Sequence, residues 1–434
     1  MKNLLIISPH FPPVNAADMH RVRQSVWYFE SFGWKPTVVS VYEKCVETEN
    51  EQLLEASLPE SLEVITVQAF STSWTRKIGL GALALRSLLF YFFRVNELIK
   101  CNKIDLIYFS TTQFPVLILG RFWKWRFKVP YVIDMQDPWY STYYLDKPKN
   151  ERPKKYWFSY YLNKYLEPIA MNGCDGLISV SAAYISQLQE RYPILKEKPN
   201  KVITFGAFEN DLVVTKNVNI TTHYFKNKDV RYVVYVGRGG FDMQTAVSKL
   251  FEAFKYGLSE NPKVFEDFRF LFVGTSYAPK GQGEKTIHPV AKKIGIESYI
   301  TEYTDRVPYF EGLKILLEAD LLFIPGSDDT SYTASKLYPY ILTKKPILGI
   351  FNKESSAFSI LQETNAGIVF SLNEEVVVIY NQLNELLNGI IKGTYINKTD
   401  WNIFDKYSAK VMTERQVELF EEVILRGGGK KSAF

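Results

Sequence analysis

The chain has 434 residues, of which 46% are hydrophobic and 23% charged, a balance that excludes a disordered protein and allows two or three domains. Its net charge of +5 is too mild to indicate nucleic acid, and it suits anionic ligands or lipid head groups. The three cysteines and four histidines show no metal-ligand spacing, which favours a reduced, cytoplasmic protein. We therefore expect no metal and no other cofactor.

Short apolar segments alternate with helical patterns along the first half of the chain. A helix is predicted over residues 19–32, because Val22, Val26 and Phe29 share one face at helical spacing. The apolar runs predict strands at residues 4–8, 36–41, 62–67, 105–109, 131–134, 177–180 and 202–205. This alternation is typical of a parallel sheet with helices on both faces.

A polar segment, residues 209–230, separates this half from a second region with the same rhythm. There the sequence predicts strands at residues 232–237, 268–274, 321–325 and 347–351, and helices at 245–256 and 408–425. We expect an α/β protein with two doubly wound, Rossmann-like domains facing a cleft. The predicted domains are residues 1–208 and 209–404, followed by a helix at 405–425 that crosses back to the first domain, and a flexible tail at 426–434.

Two loops of the first domain follow predicted strands and carry polar side chains. Residues 8–18, SPHFPPVNAAD, offer His10, Asn15 and Ala16, with Arg21 just beyond. Close approach of this backbone to a phosphate or sugar is one interpretation, and a plain strand-to-helix connection is the other. Residues 132–144, VIDMQDPWYSTYY, place Asp134 at a strand end and Asp137 before Pro-Trp. A carboxylate there suits acid–base work on a sugar, although capping of a turn is an alternative.

Two segments of the second domain suggest anion binding. In YVGRGGFDM, Gly237 and Gly239 permit a tight turn and Arg238 presents a fixed positive charge. In TSYTASKLYPY, the hydroxyls of Ser331, Thr333 and Ser335 precede Lys336 at a predicted helix start. Together these groups predict a phosphate site. Helix capping and a solvated lysine are the structural alternatives.

The order of these motifs resembles that of nucleotide-sugar glycosyltransferases with the GT-B fold. The match is closest to the large retaining family that builds bacterial surface polysaccharides, and it covers HFPP, DMQDPW, YVGRGG and ADLLFIP…SKLYPYILTKKPIL. The resemblance implies that first-loop residues lie near the acceptor and that Arg238 binds the donor diphosphate. It also implies two glutamates eight positions apart, but Ser331 and Pro339 stand there. A second basic residue usual after Arg238 is also missing.

The resemblance implies transfer of a sugar from a nucleotide-diphosphate sugar to a glycan or lipid-linked glycan. Arg238, Lys336 and a helix start would stabilise the departing diphosphate without a metal. In a retaining transfer Asp137 would only orient the acceptor, whereas in an inverting one Asp137 or His10 would be the base. The alternatives are a relative that binds sugar or nucleotide without catalysis, and a nucleotide-sugar epimerase of the same fold.

Two segments rich in aromatic residues suggest where in the cell the protein acts. Residues 78–93 are strongly apolar but too short to span a bilayer, and residues 121–128, RFWKWRFK, interleave cations with aromatic rings. One interpretation is peripheral docking on the inner face of the cell membrane, and the other is ordinary core with a basic surface.

Overall fold

The computed structural model describes residues 1–140, 156–328 and 336–428. The chain forms two compact units. Unit 1 comprises Met1–Gly206 together with Ala409–Phe434, and unit 2 comprises Ala207–Ser408.

Unit 1 is built on a parallel sheet of seven strands in the order β3-β2-β1-β4-β5-β6-β7. The strands are β1 (Lys2–Ile7), β2 (Trp34–Val41), β3 (Glu63–Val67), β4 (Leu106–Ser110), β5 (Tyr131–Met135), β6 (Gly176–Ser179) and β7 (Asn200–Val202). Alternate residues of a strand point to opposite faces. In β1, Leu5 and Ile7 therefore enter one apolar core, while Leu4 and Ile6 enter another on the opposite face.

Helices cover both cores of unit 1. They are α1 (His20–Ser25), α2 (Leu53–Ala56), α3 (Thr72–Thr75), α4 (Leu83–Cys101), α5 (Ile118–Phe127), α6 (Tyr156–Met171), α7 (Ala182–Arg191) and, at the end of the chain, α17 (Ala409–Gly428). Phe420 of α17 packs against Phe29, Trp34 and Tyr108, and Trp34 Nε1 donates to Glu421 at 2.9 Å. The last helix is thus an integral part of unit 1.

Unit 2 has a parallel sheet of six strands in the order β10-β9-β8-β11-β12-β13. Its strands are β8 (Arg231–Val236), β9 (Phe268–Val273), β10 (Ile300–Tyr303), β11 (Leu321–Pro325), β12 (Ile347–Phe351) and β13 (Ile368–Ser371). Its helices are α8 (Glu209–Asn217), α9 (Gln244–Glu260), α10 (Pro262–Phe265), α11 (His288–Ile294), α12 (Tyr309–Glu318), α13 (Leu337–Leu342), α14 (Ser356–Thr364), α15 (Val376–Ile391) and α16 (Trp401–Asp405). Counted from β8, the strand order is 3-2-1-4-5-6, the order of the Rossmann fold.

Several local predictions need correction. The helix predicted over residues 19–32 is α1 flanked by two 3-10 turns, and it ends before Gly33, which has a φ of +82°. Part of the predicted polar connection is α8, held by the hydrogen bond from Tyr309 Oη to Asp211 Oδ2 at 2.7 Å. Strands β10 and β13 were missed, because each has only four residues and is flanked by polar sequence. In the apolar segment 78–93, the helix α4 begins at Leu83, and it continues beyond the segment to Cys101.

Candidate functional site

The strand order of unit 1 reverses direction between β1 and β4. In open α/β sheets ligands bind outside the carboxyl ends of the strands at such a switch point. The loops that follow β1, β4 and β5 meet there, and their polar side chains form one hydrogen-bonded network. The two paired groups in this network are His10–Asp18 and Arg21–Asp134.

His10 is fixed by a buried carboxylate that sequence reasoning did not select. Its Nδ1 lies 2.9 Å from Asp18 Oδ1. Asp18 Oδ2 accepts hydrogen bonds from the Thr111 hydroxyl and from both the amide and the hydroxyl of Thr112. Burial raises the pKa of Asp18, but the hydrogen bond and charge of His10 and the bonds from both threonines outweigh it, so the pKa lies below the ordinary value of 3.8. The carboxylate therefore orients the imidazole, and its other nitrogen, Nε2, forms no hydrogen bond within the described part of the chain.

Arg21 and Asp134 are buried and pair with each other. Arg21 Nε lies 2.7 Å from Asp134 Oδ2, and the guanidinium also donates to the carbonyls of Ile203 and Thr204. Ser110 and Gln136 donate to the same carboxylate oxygen at 2.8 and 3.1 Å. With almost no exposed surface, Arg21 and Asp134 join α1, β5 and the segment that follows β7. This geometry favours a positioning role over direct contact with an acceptor.

Asp137 stands at the surface, two residues beyond β5. Desolvation and the negative charge of Asp18 raise the pKa of its carboxyl above the ordinary value. The following residues are firmly held, since Trp139 Nε1 donates to Asn163 Oδ1 at 3.0 Å and the Tyr140 amide donates to the buried Glu167 at 2.9 Å. Asp137 is thus an exposed carboxylate next to anchored residues. Such a group suits general acid–base catalysis or orientation of a substrate.

The small residues of the first loop have defined partners. The Asn15 amide donates to the Glu49 carbonyl at 2.9 Å, and Asn15 Nδ2 donates to Glu51 Oε2 at 3.0 Å. Ala16 is half-buried and extended, and it precedes the 3-10 turn that leads into α1. The Asn15 amide is consequently engaged inside unit 1.

In unit 2 the equivalent switch point lies between β8 and β11. The turn after β8 is tied to the next strand, because the amides of Gly237 and Gly239 donate to the carbonyls of Val273 and Thr275, each at 2.8 Å. Gly237 has a φ of +155°, and a Cβ atom there would lie 2.5 Å from Lys336 Nζ. Only glycine admits the ammonium this close to the backbone.

Arg238 forms a two-point ion pair within the same turn. Its Nη1 and Nη2 donate to Asp242 Oδ1 and Oδ2 at 2.8 and 2.7 Å. These bonds from Arg238 hold the pKa of the Asp242 carboxyl below 3.8. The pair fixes the guanidinium and offsets part of its charge.

Lys336 is a largely desolvated lysine directly before α13. Desolvation and the positive charges of Arg238 and Arg306 lower its pKa to about 8. Its Nζ lies 6.0 Å from the centroid of the Tyr235 ring, and within residues 156–328 and 336–428 it forms no ion pair. A desolvated ammonium among cations is favourable only when an anion joins it.

The three predicted hydroxyl donors, Ser331, Thr333 and Ser335, lie outside the described residues. Pro339 is the third residue of α13, where its missing N–H would have no helical partner. Tyr340 Oη accepts from the Val236 amide at 2.8 Å, which joins α13 to the end of β8. Among the described residues there is no cluster of three or more histidine, cysteine, aspartate or glutamate side chains suited to a metal.

Sequence reasoning missed two charged groups, Asp18 and Arg306. The first loop follows a strand, and loops after strands are where ligands bind in such sheets. Asp18, the last residue of that loop, could therefore have been selected as a candidate. Arg306 follows β10, and because that strand was not predicted, nothing placed its loop beside Arg238 and Lys336.

Comparison with known proteins supports the fold. No protein-family model and no curated protein matches the sequence, but solved structures match along the whole chain. The α,α-trehalose 6-phosphate synthase of Burkholderia multivorans is 11% identical with a TM-score of 0.58, covering 100% of this chain and 99% of that one. A glycosyltransferase from Rickettsia africae is 13% identical with a TM-score of 0.56, covering 98% and 99%.

A third similar structure is Alr3699/HepE of Anabaena in complex with UDP-glucose. It is 13% identical with a TM-score of 0.51, and the match covers 100% of both chains. The two parallel sheets and these likenesses define the fold as that of the GT-B glycosyltransferases.

Proposed function

We propose that this protein is a glycosyltransferase that uses a nucleotide-diphosphate sugar as donor. The observation that carries the proposal is Lys336, a desolvated ammonium beside Arg238 and Arg306 at the switch point of unit 2. The resemblance of the sequence and the fold shared with HepE, solved with UDP-glucose, both support it. A diphosphate supplies the negative charge that these cations require.

In this mechanism the diphosphate gains negative charge as the glycosidic bond breaks. The Lys336 ammonium stabilises that charge in a site of low dielectric, where electrostatic interactions are strong. Arg238 adds a second positive charge, and its ion pair with Asp242 holds the guanidinium in place. Since the protein supplies the compensating charge, we propose that transfer does not depend on a metal.

The acceptor is a glycan or lipid-linked glycan, bound on the side of His10 and Asp137. If the configuration is retained, the leaving phosphate accepts the acceptor proton and Asp137 orients the hydroxyl. This is the mechanism we favour, by resemblance. If it is inverted, Asp137 or His10 accepts the proton.

We further propose a role in the synthesis of a cell-surface polysaccharide, with the protein at the cytoplasmic face of the membrane. No helix within the described ranges combines the length and the apolar character needed to cross a bilayer. Peripheral contact would instead use the outer faces of α4, α5 and α6, where Phe93, Trp125, Trp157 and Tyr165 are exposed. Aromatic rings and cations suit the interface of an anionic membrane.

Thermal shift with UDP-, GDP-, dTDP- and CMP-sugars tests donor binding, and release of free nucleotide on adding a glycan acceptor tests transfer. We expect one nucleotide class to stabilise the protein and to be released when the acceptor is present. No stabilisation by any donor would refute the proposal.

A second candidate, a relative that binds nucleotide sugars without transferring them, is favoured by the sequence at positions 331 and 339. Ser331 and Pro339 stand where the resembled family has glutamates, so a carboxylate clamp on the ribose is missing. Stabilisation by a donor without nucleotide release, across lipid-linked and soluble acceptors, would identify this function.

A further inference from the structure

Unit 1 contains a large groove beside the first loop that the proposed donor chemistry does not use. Its volume is about 1080 Å³. It lies against the β2–β3 edge of the sheet, where Ser40 pairs in register with Thr66 and Val38 with Val64. Pro12 and Pro13 line its end next to His10. The groove is therefore continuous with the loop that carries the candidate acceptor residues.

The lining combines an aromatic ring with acidic side chains. Trp27 is exposed, and its Nε1 donates to the Ser57 carbonyl at 2.7 Å, which fixes the ring. Glu43, Glu55 and Glu60 also line the groove, and none of them forms an ion pair within the described part of the chain. The adjacent Lys44 is directed elsewhere, with its Nζ 5.8 Å from the Tyr42 ring.

Ser40 supplies an independent observation. It is 4% exposed and lines the groove, yet its hydroxyl has no hydrogen-bond partner among the described residues. The hydroxyl opens onto the groove, where it can donate to and accept from a polar group bound there. Val64, exposed on the same sheet face, leaves an apolar surface beside it.

We infer that this groove, the Trp27 groove, binds an acceptor saccharide that carries a free amino group. Sugar rings stack on a fixed indole, and their hydroxyls and ammonium groups donate to carboxylates and to the serine. Three carboxylates without ion pairs give the groove the opposite charge to a protonated amine. The inference rests on the proposed function, because it names the class of acceptor.

The test measures calorimetric binding of glucosamine oligosaccharides with free amines, and of the same oligosaccharides fully N-acetylated. We expect the free-amine form to bind at least about 10-fold more tightly, since three exposed charge pairs together contribute on that order. Replacing Glu43, Glu55 and Glu60 by Gln should remove this preference, whereas Glu190→Gln, an exposed carboxylate on α7, should keep it. Trp27→Ala should reduce the affinity for both oligosaccharides by a similar factor.

Equal affinity for the two oligosaccharides, or a preference that survives the triple substitution, would overturn the inference. Donor binding is measured on the same preparations by thermal shift. If the saccharides bind as expected while no nucleotide sugar does, the groove stands and the glycosyltransferase proposal falls. If a nucleotide sugar binds but neither saccharide does, the groove assignment falls alone.

Discussion

At the residue scale, the proposed role of Lys336 predicts that donor binding depends on pH. Its pKa of about 8 means that the ammonium is charged below pH 8 and neutral above it. The diphosphate of a nucleotide-diphosphate sugar is esterified at both ends and keeps only strongly acidic hydroxyls, so it is fully ionised throughout this range. We therefore expect donor affinity to fall as the pH rises through about 8, measured by calorimetry between pH 6.5 and 9.5.

Lys336→Arg is the matched control for this prediction, since a guanidinium stays charged throughout that range. Its affinity should be nearly flat over the same pH values. A wild-type affinity that does not change between pH 7 and pH 9 would contradict the assignment of Lys336 to the diphosphate.

The kinetics of an Asp137 variant distinguish the two proposed mechanisms. If Asp137 is the base, Asp137→Asn should reduce kcat by about 100-fold or more with little change in KM, the usual loss for a general base. If it only orients the acceptor, the acceptor KM should rise and kcat should change less. If Asp137 is the base, the acid limb of the wild-type kcat/KM profile should lie above pH 3.8, because desolvation and the charge of Asp18 raise the pKa of this carboxyl in the free protein. A variant with wild-type kcat and KM would exclude both roles.

At the scale of elements, Asp18 is the residue that ties the first loop to the turn after β4. Its pKa is lowered in the folded protein, so its contribution to stability is present above the unfolded value of 3.8 and is lost as the pH falls toward the folded value. Asp18→Ala should lower the free energy of unfolding at pH 7 by about 3 kcal/mol, because it removes a buried charge that three donors and His10 satisfy.

Urea unfolding at several pH values measures this loss. The difference between wild type and Asp18→Ala should shrink below pH 3.8, and Glu190→Gln, an exposed carboxylate in the same unit, should change stability by less than about 0.5 kcal/mol. A loss that stayed constant down to pH 3 would show that the charge of Asp18 does not stabilise the loop.

The elements themselves were predictable to different degrees. Strands β11 and β12 were predicted with their observed bounds, because each is a continuous apolar run buried on both faces. Strand β10 was not, since Thr301 is exposed and only Ile300 and Glu302 are buried, a pattern too short to separate from a loop. The buried Glu302 accepts from the amides of Thr286, Ile287 and His288, a role that no local pattern encodes.

The loops that carry the candidate residues were identifiable from the sequence, but the pairing of their side chains was not. Loops after strands were the expected places, and Arg238, Lys336, His10 and Asp137 all lie on such loops or beside them. The partners were not predictable. The pairing of Arg238 with Asp242 and that of His10 with Asp18 depend on side-chain geometry within the folded loops. The burial of Arg21 and Asp134 was not predictable either, since polarity in the sequence does not reveal exposure, and their place on the acceptor side stays a prediction.

At the scale of the whole molecule, the aromatic residues divide between core and surface. Trp123 is fully buried and stacks on Phe109, whereas Trp125, two positions on, is 68% exposed. Phe93 and Trp125 are linked through Phe92 and Phe122, whose ring centroids are 5.0 Å apart. Because one tryptophan of RFWKWRFK is buried and the other is exposed, the segment is compatible with both packing in the core and contact with a membrane.

If α4 and α5 contact the membrane, replacing Phe93 and Trp125 by Ser should reduce binding to vesicles that contain anionic lipid by about 10-fold or more, because two large apolar side chains no longer insert. Cosedimentation measures the loss. Trp27→Ser, another exposed tryptophan of unit 1, is the control and should bind like wild type. Equal binding by the double variant, or wild-type binding to neutral vesicles alone, would contradict this account.

The most direct test of donor binding at unit 2 is calorimetry of the stabilising nucleotide sugar with Lys336→Met. We predict that affinity falls by about 10- to 100-fold, since a charged hydrogen bond to the diphosphate is lost, while Lys293→Met, at an exposed lysine of α11, binds like wild type. Arg238→Ala should also weaken binding. Unchanged affinity in Lys336→Met would contradict the account.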